Sequence, residues 1–352
     1  MTTYDDALQR IKSRNRTWLV TGVAGFIGSH LAENLLRLDQ TVVGLDNFST
    51  GKPENLTHIR QSVGSERAKR FRFIQGDIRS PEACRQACRG ADAVLHQAAL
   101  GSVPRSIDDP VASTENNVNG FLNMLVAARD ASIKSFVYAS SSAVYGDDPE
   151  LPKVESRIGR AMSPYGLTKH IDELYAGVFE ACYGFRAIGL RYFNVFGPRQ
   201  DPFGAYPSVI PAWIGALLTG QTAFINGDGK ASRDFCYVDH IVQANLLAAT
   251  VEDAAAWNQA YNVGHGEQTT LSDLFVLIRD LAAKRMPHLR SARAVHREPR
   301  RGDMQHSRAD IGKAQRLLGF QPEHALDGAL EKTIAWYAAN LPVAEEKKVA
   351  LA

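Results

Sequence analysis

Two residues in the middle of the chain have the types and spacing for proton chemistry. Tyr165 and Lys169 stand four apart in SPYGLTKH. If the segment is helical, that spacing puts both side chains on one face. Ser163-Pro164 reads as a helix start, because proline is suited to the first helical position. A phenol has a reference pKa near 10, so alone it is a poor base at neutral pH. A neighbouring ammonium and a cationic cofactor ring would each favour the phenolate. Bringing the phenol to about 7 takes roughly 4 kcal/mol of differential stabilisation. Taken alone, the pair fits a surface tyrosine and lysine at chance spacing equally well.

Other residues add to the pair. The run Ser140-Ser141-Ser142 ends an apolar segment some twenty residues earlier, before Val144-Tyr145-Gly146. A hydroxyl there could hold a substrate alcohol while Tyr165 takes its proton; a plain turn is the alternative. Near the start, Gly22, Gly25 and Gly28 lie in TGVAGFIG, after a strand-like TWLVT and opening a helical pattern. In that context the first glycine makes the turn, the second lets the backbone approach a pyrophosphate, and the third packs helix on strand. The helix start then offers amide donors and its dipole to phosphate. Asp46 ends the next strand, where a carboxylate accepts from the ribose hydroxyls and repels a 2′-phosphate. Asn47, Phe48 and Ser49 offer no arginine for such a phosphate, so NAD is expected rather than NADP. Asp77 in G-D-I could accept from the adenine amino group, or serve only as a helix cap.

These residues need a scaffold. Thr17–Thr21, Thr41–Asp46, Phe71–Gln75, Asp92–His96 and Lys134–Ala139 read as strands, with Arg186–Phe193 and Ala260–Gly264 extending the same sheet. Phe26–Leu38 and Val111–Ala131 carry apolar residues at helical spacing. Strands alternating with helices predict right-handed crossovers and a doubly wound parallel sheet, an α/β fold. After about Asn194 the pattern loosens into a Pro-, Gly- and aromatic-rich loop, followed by Ala223–Asn226, Arg233–Tyr237, Thr270–Ala283, Gln315–Leu318 and Ala325–Leu341 as short elements. The expected division is a nucleotide-binding domain over 1–193, with 239–264 returning to it, and a smaller α/β substrate lobe that takes mainly 194–352 and caps the open edge of the sheet.

Composition limits the function classes. The 352 residues carry a formal net charge of +2, 45% hydrophobic and 22% charged, which points to neither nucleic acid nor a membrane surface. Cys84, Cys88, Cys182 and Cys236 form no C-x-x-C pair and have no histidine at ligand spacing, so free thiols and no metal are expected. No stretch nears the ~20 apolar residues of a span, and the N-terminus lacks a signal-peptide core and reads as a short amphipathic helix. A cytoplasmic protein is the expectation. Arg297, Arg300 and Arg301 cluster beside Glu298 and Asp303, as a phosphate site or as a solvated loop.

With TGxxGFIG, DN, GDI, HQAA, SSxVYG, YxxxK and RYFNVFGP in order, the chain resembles the extended short-chain dehydrogenases/reductases over nearly its whole length. Its branch looks like the nucleotide-sugar 4-epimerases. HQAALGSVPRS, GLRYFNVFG, INGDGKASRDFCYV and RRGDMQHSRAD make it most similar to bacterial UDP-N-acetylglucosamine 4-epimerases of surface-polysaccharide synthesis. The resemblance implies a Rossmann fold and a phenolate at Tyr165 that deprotonates the sugar 4-hydroxyl. Hydride then passes to NAD, and the 4-keto sugar turns and is reduced on its other face. It implies that Lys169 binds the nicotinamide ribose and that Ser141, with Ser142 as the alternative, completes the catalytic set. Cofactor contacts would extend to Phe26, Ile27, Asn47, Ile78, Gln97, Ala98, Asn116 and Tyr192. Gly101, Ser102, Asn194, Val209, Ile225, Arg233, Arg300, Asp303 and Ser307 would meet the UDP-sugar. Arginine suits the diphosphate because its planar fork meets phosphate oxygens bidentately, which turns the Arg300 cluster from solvated loop to binding site. At Ser307 the epimerases restricted to unacetylated hexoses carry a bulky tyrosine, so a serine leaves room for an acetamido group. Alternatives are a 2-acetamido uronate, with Arg105 or Ser102 meeting the carboxylate, and UDP-glucose. A dehydratase would carry an acidic pair where Ser142 and Ala143 stand. A non-catalytic NAD-sensing scaffold would be expected to have lost Tyr165 or Lys169. The family implies a homodimer through Val111–Ala131 and the Tyr165 helix.

Overall fold

The computed structural model describes residues 3–299 and 305–341. They form two compact units. The first takes the described residues of Met1–Val195 together with Asp234–Glu267 and Ser307–Glu323; the second takes those of Phe196–Arg233, Gln268–His306 and His324–Ala352.

Seven strands make the sheet of the first unit: β1 (Thr17–Thr21), β2 (Thr41–Asp46), β3 (Phe71–Gln75), β4 (Ala93–His96), β5 (Ser135–Ser141), β6 (Ala187–Tyr192) and β7 (Ala260–Val263). Their order is β7-β6-β5-β4-β1-β2-β3, and every neighbouring pair is parallel. The doubly wound sheet is therefore present as expected. The strands are nearly continuous apolar runs because both faces are covered. Side chains alternate across the sheet: Trp18 and Val20 enter one core with Leu35 and Ile241, while Leu19 enters the other with Met124 and Phe136. The N-terminal helix, Thr3–Lys12, adds Ala7 and Ile11 to the first core.

The chain returns to this unit twice. The first return begins at Asp234 and brings β7. The second, 307–323, falls inside the stretch assigned from sequence to the lobe; Leu318 and Phe320 are buried in the first core, and that burial draws it in. The expected single helix over Val111–Ala131 is also different. It is built of Pro110–Thr114, a π turn over Glu115–Asn119, and Gly120–Asp130.

The second unit packs the helices Val209–Leu218, Leu271–Ala283 and Leu326–Asn340 on one another. Trp213 meets Phe275 edge-on at 5.6 Å, and its Nε1 donates to Phe224 O at 2.8 Å. Two short ladders complete it, Phe224–Asn226 with Val295–Arg297 and Ser232–Arg233 with Thr269–Thr270. The four cysteines are free, and Cys182 is exposed where the others are buried. Among the described residues no helix is long and apolar enough to cross a membrane, and no cluster of His, Cys, Asp and Glu could hold a metal.

Candidate active site

The glycine turn sits at the carboxyl end of β1. Gly22 has φ +67°, and a Cβ on it would lie 2.9 Å from Ala98 N. A Cβ on Gly28 would lie 2.1 Å from Gly22 O, so the helix Phe26–Arg37 can pack this closely only with glycine there. No side chain caps that helix at Gly25; the Phe26 and Ile27 amides open it as a phosphate-binding end would require. Thr21 Oγ1 accepts from Gln97 N and Ala98 N (both 3.1 Å) and meets His96 Nδ1 at 2.9 Å. That hydroxyl ties the ends of β1 and β4 at the point where strand order reverses, the place where doubly wound sheets take ligands. These residues fit a dinucleotide.

Asp46 is 8% exposed and accepts from Ala24 N (2.9 Å) and Phe48 N (2.8 Å). Burial raises its pKa, opposed by those two amides. A carboxylate has about four lone-pair sites, so capacity for ribose hydroxyls remains. Asn47 Nδ2 donates to Asp77 Oδ2 at 2.9 Å, and Arg79 grips Asp77. The Arg79 guanidinium holds the Asp77 carboxyl at about 2. Ile78 is buried against Gly120. Gln97, Tyr192 and Asn245 close a ring: Asn245 Nδ2 donates to Tyr192 Oη (2.8 Å), Tyr192 Oη to Gln97 Oε1 (3.1 Å), and Gln97 Nε2 to Asn245 Oδ1 (3.1 Å).

Tyr165 and Lys169 lie on the helix Pro164–Tyr183. Ser163 Oγ accepts from Gly166 N at 3.1 Å and Tyr165 N donates to Ser106 Oγ at 3.0 Å, so the helix start is fixed from two sides. Ser141 ends β5, and its Oγ accepts from Ala143 N at 3.1 Å; Ser142 opens the 3₁₀ turn Ser142–Tyr145. A Cβ on Gly166 would fall 2.5 Å from Ala143 O, so the serine turn and the tyrosine helix are pressed together. Lys169 is 2% exposed, with Nζ 3.1 Å from Asp172 Oδ2. This arrangement can hold a substrate alcohol on the serine turn while Tyr165, as phenolate, takes the alcohol's proton.

Sequence reasoning missed some of these. Asp172 is the seventh residue after Tyr165, on the same face of the helix, and its neighbour Glu173 hid it in the sequence. Asn117, rather than its neighbour Asn116, is the buried amide of the π turn. It accepts from Leu100 N (2.8 Å) and donates to Leu100 O (3.2 Å) and Thr168 Oγ1 (3.1 Å). Asn116 Nδ2 donates to Ala112 O within its own helix. Thr21 opens the TGVAGFIG motif without a role of its own in it, and Asn245 carried no motif signal.

Of the expected sugar-nucleotide contacts, Gly101, Ser102, Asn194 and Ser307 belong to the first unit. Gly101 is exposed; Ser102 caps the helix Val103–Asp108 by accepting from Arg105 N; Asn194 Nδ2 donates to Asp234 O at 3.2 Å. Ser307 is 1% exposed, and its Oγ has no hydrogen-bond partner among the described residues. Val209, Ile225 and Arg233 belong to the second unit. Val209 opens a helix, Ile225 is buried, and Arg233 donates to the carbonyls of Ser232 and Gln305. Arg300 and Asp303 lie outside the described residues.

A family model described as the NAD dependent epimerase/dehydratase family matches residues 18–264. The chain belongs to that family. UDP-glucose 4-epimerase of Mycolicibacterium smegmatis is 35% identical over 322 residues, 91% of this chain and 97% of that protein. Among solved structures, UDP-N-acetylglucosamine 4-epimerase from Methanobrevibacter ruminantium, in complex with UDP-N-acetylmuramic acid, is 36% identical with a TM-score of 0.84, covering 93% of this chain and 99% of that one. UDP-glucuronic acid 4-epimerase from Bacillus cereus, with UDP-glucuronic acid and NAD, is 31% identical with a TM-score of 0.81, covering 91% and 98%. The chain is an enzyme of this kind: an isomerase that uses NAD to epimerise nucleotide sugars at C4.

Proposed function

We propose that the chain interconverts UDP-N-acetylglucosamine and UDP-N-acetylgalactosamine through a 4-keto sugar, in the cytoplasm, for surface polysaccharide synthesis. The observation that carries the acetylated substrate is Ser307: a small residue, almost fully buried, with a hydroxyl left unpartnered among the described residues. An unmet buried hydroxyl costs free energy, and the amide of an acetamido group would supply the hydrogen bond. Tyr165 takes the proton of the 4-hydroxyl, Ser141 or Ser142 holds that hydroxyl in reach, and Lys169 keeps positive charge beside the phenol and binds ribose. Bound NAD supplies the hydride acceptor and donor. Gly22, Gly25, Phe26, Ile27 and Gly28 hold its pyrophosphate, and Asp46 its adenosine ribose. Arg233 and Arg300 neutralise the UDP diphosphate.

The test is turnover of UDP-glucose, UDP-N-acetylglucosamine and its uronate by purified protein without added reductant. The acetylated hexose is expected to give the highest kcat/KM, and Ser307→Tyr to lower that value at least tenfold while sparing UDP-glucose. Failure to turn over either acetylated hexose would sink the reading. Uronate epimerisation is the second reading, favoured by the likeness to the Bacillus cereus enzyme; faster turnover of the uronate would establish it.

We further infer a homodimer. Leu167, Leu174 and Val178 on the Tyr165 helix are 47%, 57% and 51% exposed, and Val111 on the helix Pro110–Thr114 is 66% exposed. Apolar residues in such a stripe favour burial against a second copy.

A further inference from the structure

Tyr165, Lys169 and Asp172 stand at i, i+4 and i+7 on the helix Pro164–Tyr183, the spacing of a single face. Asp172 is 0% exposed, and its Oδ2 lies 3.1 Å from Lys169 Nζ. Its Oδ1 is also buried and has no hydrogen-bond partner among the described residues. An acid this deep costs several kcal/mol unless its charge is matched, and Lys169 is the cation that matches it. Asp172 in turn is the one hydrogen-bond partner of Lys169 Nζ among the described residues. An ammonium has three donors, so two remain for other hydroxyls while the carboxylate holds the third.

We propose that Asp172 is a positioning residue for the reaction: its carboxylate fixes the Lys169 ammonium and keeps it protonated beside Tyr165. The proposal rests on Tyr165 and Lys169 being the reacting pair.

The groups around the carboxylate agree with this. On its own helix they are Lys169 and Glu173. Glu173 is held by Arg191 of β6, at 2.9 and 2.7 Å. Tyr138 of β5 feels the charges of both Asp172 and Glu173. The π turn packed on the same helix presents Asn117, a neutral amide bound to Thr168. His96 of β4 feels the Lys169 charge, and burial keeps it neutral, its pKa lowered to about 3. Burial pushes the Asp172 carboxyl above the usual carboxylate range, and Lys169 pulls it back. Glu173 being committed to Arg191, Asp172 is the acid left to serve Lys169.

Asp172→Asn keeps an oxygen that can accept from Lys169 but removes the charge. With the charge gone, Lys169 loses its proton more readily. The alkaline limb of the kcat pH profile is expected to move down by about one pH unit or more, with rates on the acid side of the optimum less affected. A profile that does not move would overturn the proposal. An unfolding cycle, read by urea denaturation without substrate or cofactor, tests the pairing independently of turnover. Lys169→Met strands the buried carboxylate and is expected to lower the urea midpoint; adding Asp172→Asn to it is expected to restore the midpoint. Additive losses in the double variant refute the pairing. If Asp172→Asn alone does not fold, folding of the double variant supports the pairing and its failure to fold refutes it. Restored stability with no turnover in the wild type would locate the fault in the assignment of the reaction, not in the pair.

Discussion

Tyr165 stood out by its spacing, because Lys169 sits on the same helical face and the proposed chemistry uses both. Replacing it with phenylalanine removes only the oxygen. Turnover should fall by roughly a hundred- to ten-thousandfold, the usual worth of a general base, while NAD affinity measured by fluorescence titration stays near wild type. Undiminished turnover would remove Tyr165 from the chemistry. The place of Asp46 at the end of the second strand was legible too, and its proposed use is the adenosine ribose. The two loop amides it accepts, from Ala24 and Phe48, were not legible, because they depend on how the loop folds back. Asp46→Ala is expected to weaken NAD binding tenfold or more, partly by stranding those amides. Asp172 escaped notice because Glu173 stands beside it in sequence, and burial alone tells the two acids apart.

Elements were legible where periodicity was clean. The seven strands and the glycine turn follow from apolar runs and from glycines that only close packing explains. Gly28→Ala would set a methyl 2.1 Å from Gly22 O. The methyl would press on backbone atoms of Gly22 and Val23, so relief requires the helix to move; NAD affinity and the melting temperature should fall together, and an unchanged melting temperature would refute the packing argument. The π turn was not legible. Its extra residue shifts the helical phase by one position, and an apolar stripe cannot reveal that when both phases place some apolar residues inward. Asn117 stabilises the turn by bonding both polar groups of Leu100. Asn117→Ala should cost about 1–3 kcal/mol, seen as a lower urea midpoint, whereas Asn116→Ala should cost little.

For the whole molecule, the path of the chain was the feature least legible in the sequence. The strand pattern placed a boundary at 193, yet 307–323 is needed to fill the first core, and nothing in its local pattern announces which unit it joins. A fragment ending at residue 195 lacks β7, Leu318 and Phe320, and should show no cooperative urea transition; a sharp one would contradict the three-part unit. Stability should also depend on acid through His96. Unfolded, its imidazole takes a proton near pH 6.5; folded, it stays neutral down to about 3. Between those values the unfolded chain binds more protons, so stability falls as pH drops, by up to about 1.4 kcal/mol per pH unit. Urea midpoints at pH 7 and pH 5 should diverge less in His96→Asn than in the wild type.

The three-part first unit sets a timetable for the chain on the ribosome. When residue 195 has emerged, β6 already exists as a strand with one unpaired edge, and the core beside it is open. The strand that covers this edge, Ala260–Val263, and the residues that seal the core around Phe320 are made later. At 5–20 residues per second the opening lasts on the order of ten seconds. Throughout that interval the newborn chain offers a bare parallel edge, which is a template for pairing with another chain. Overproduction should therefore lose protein to aggregation during synthesis rather than after it, and a holdase chaperone that covers the open edge should raise the soluble yield more than any substitution on the finished surface.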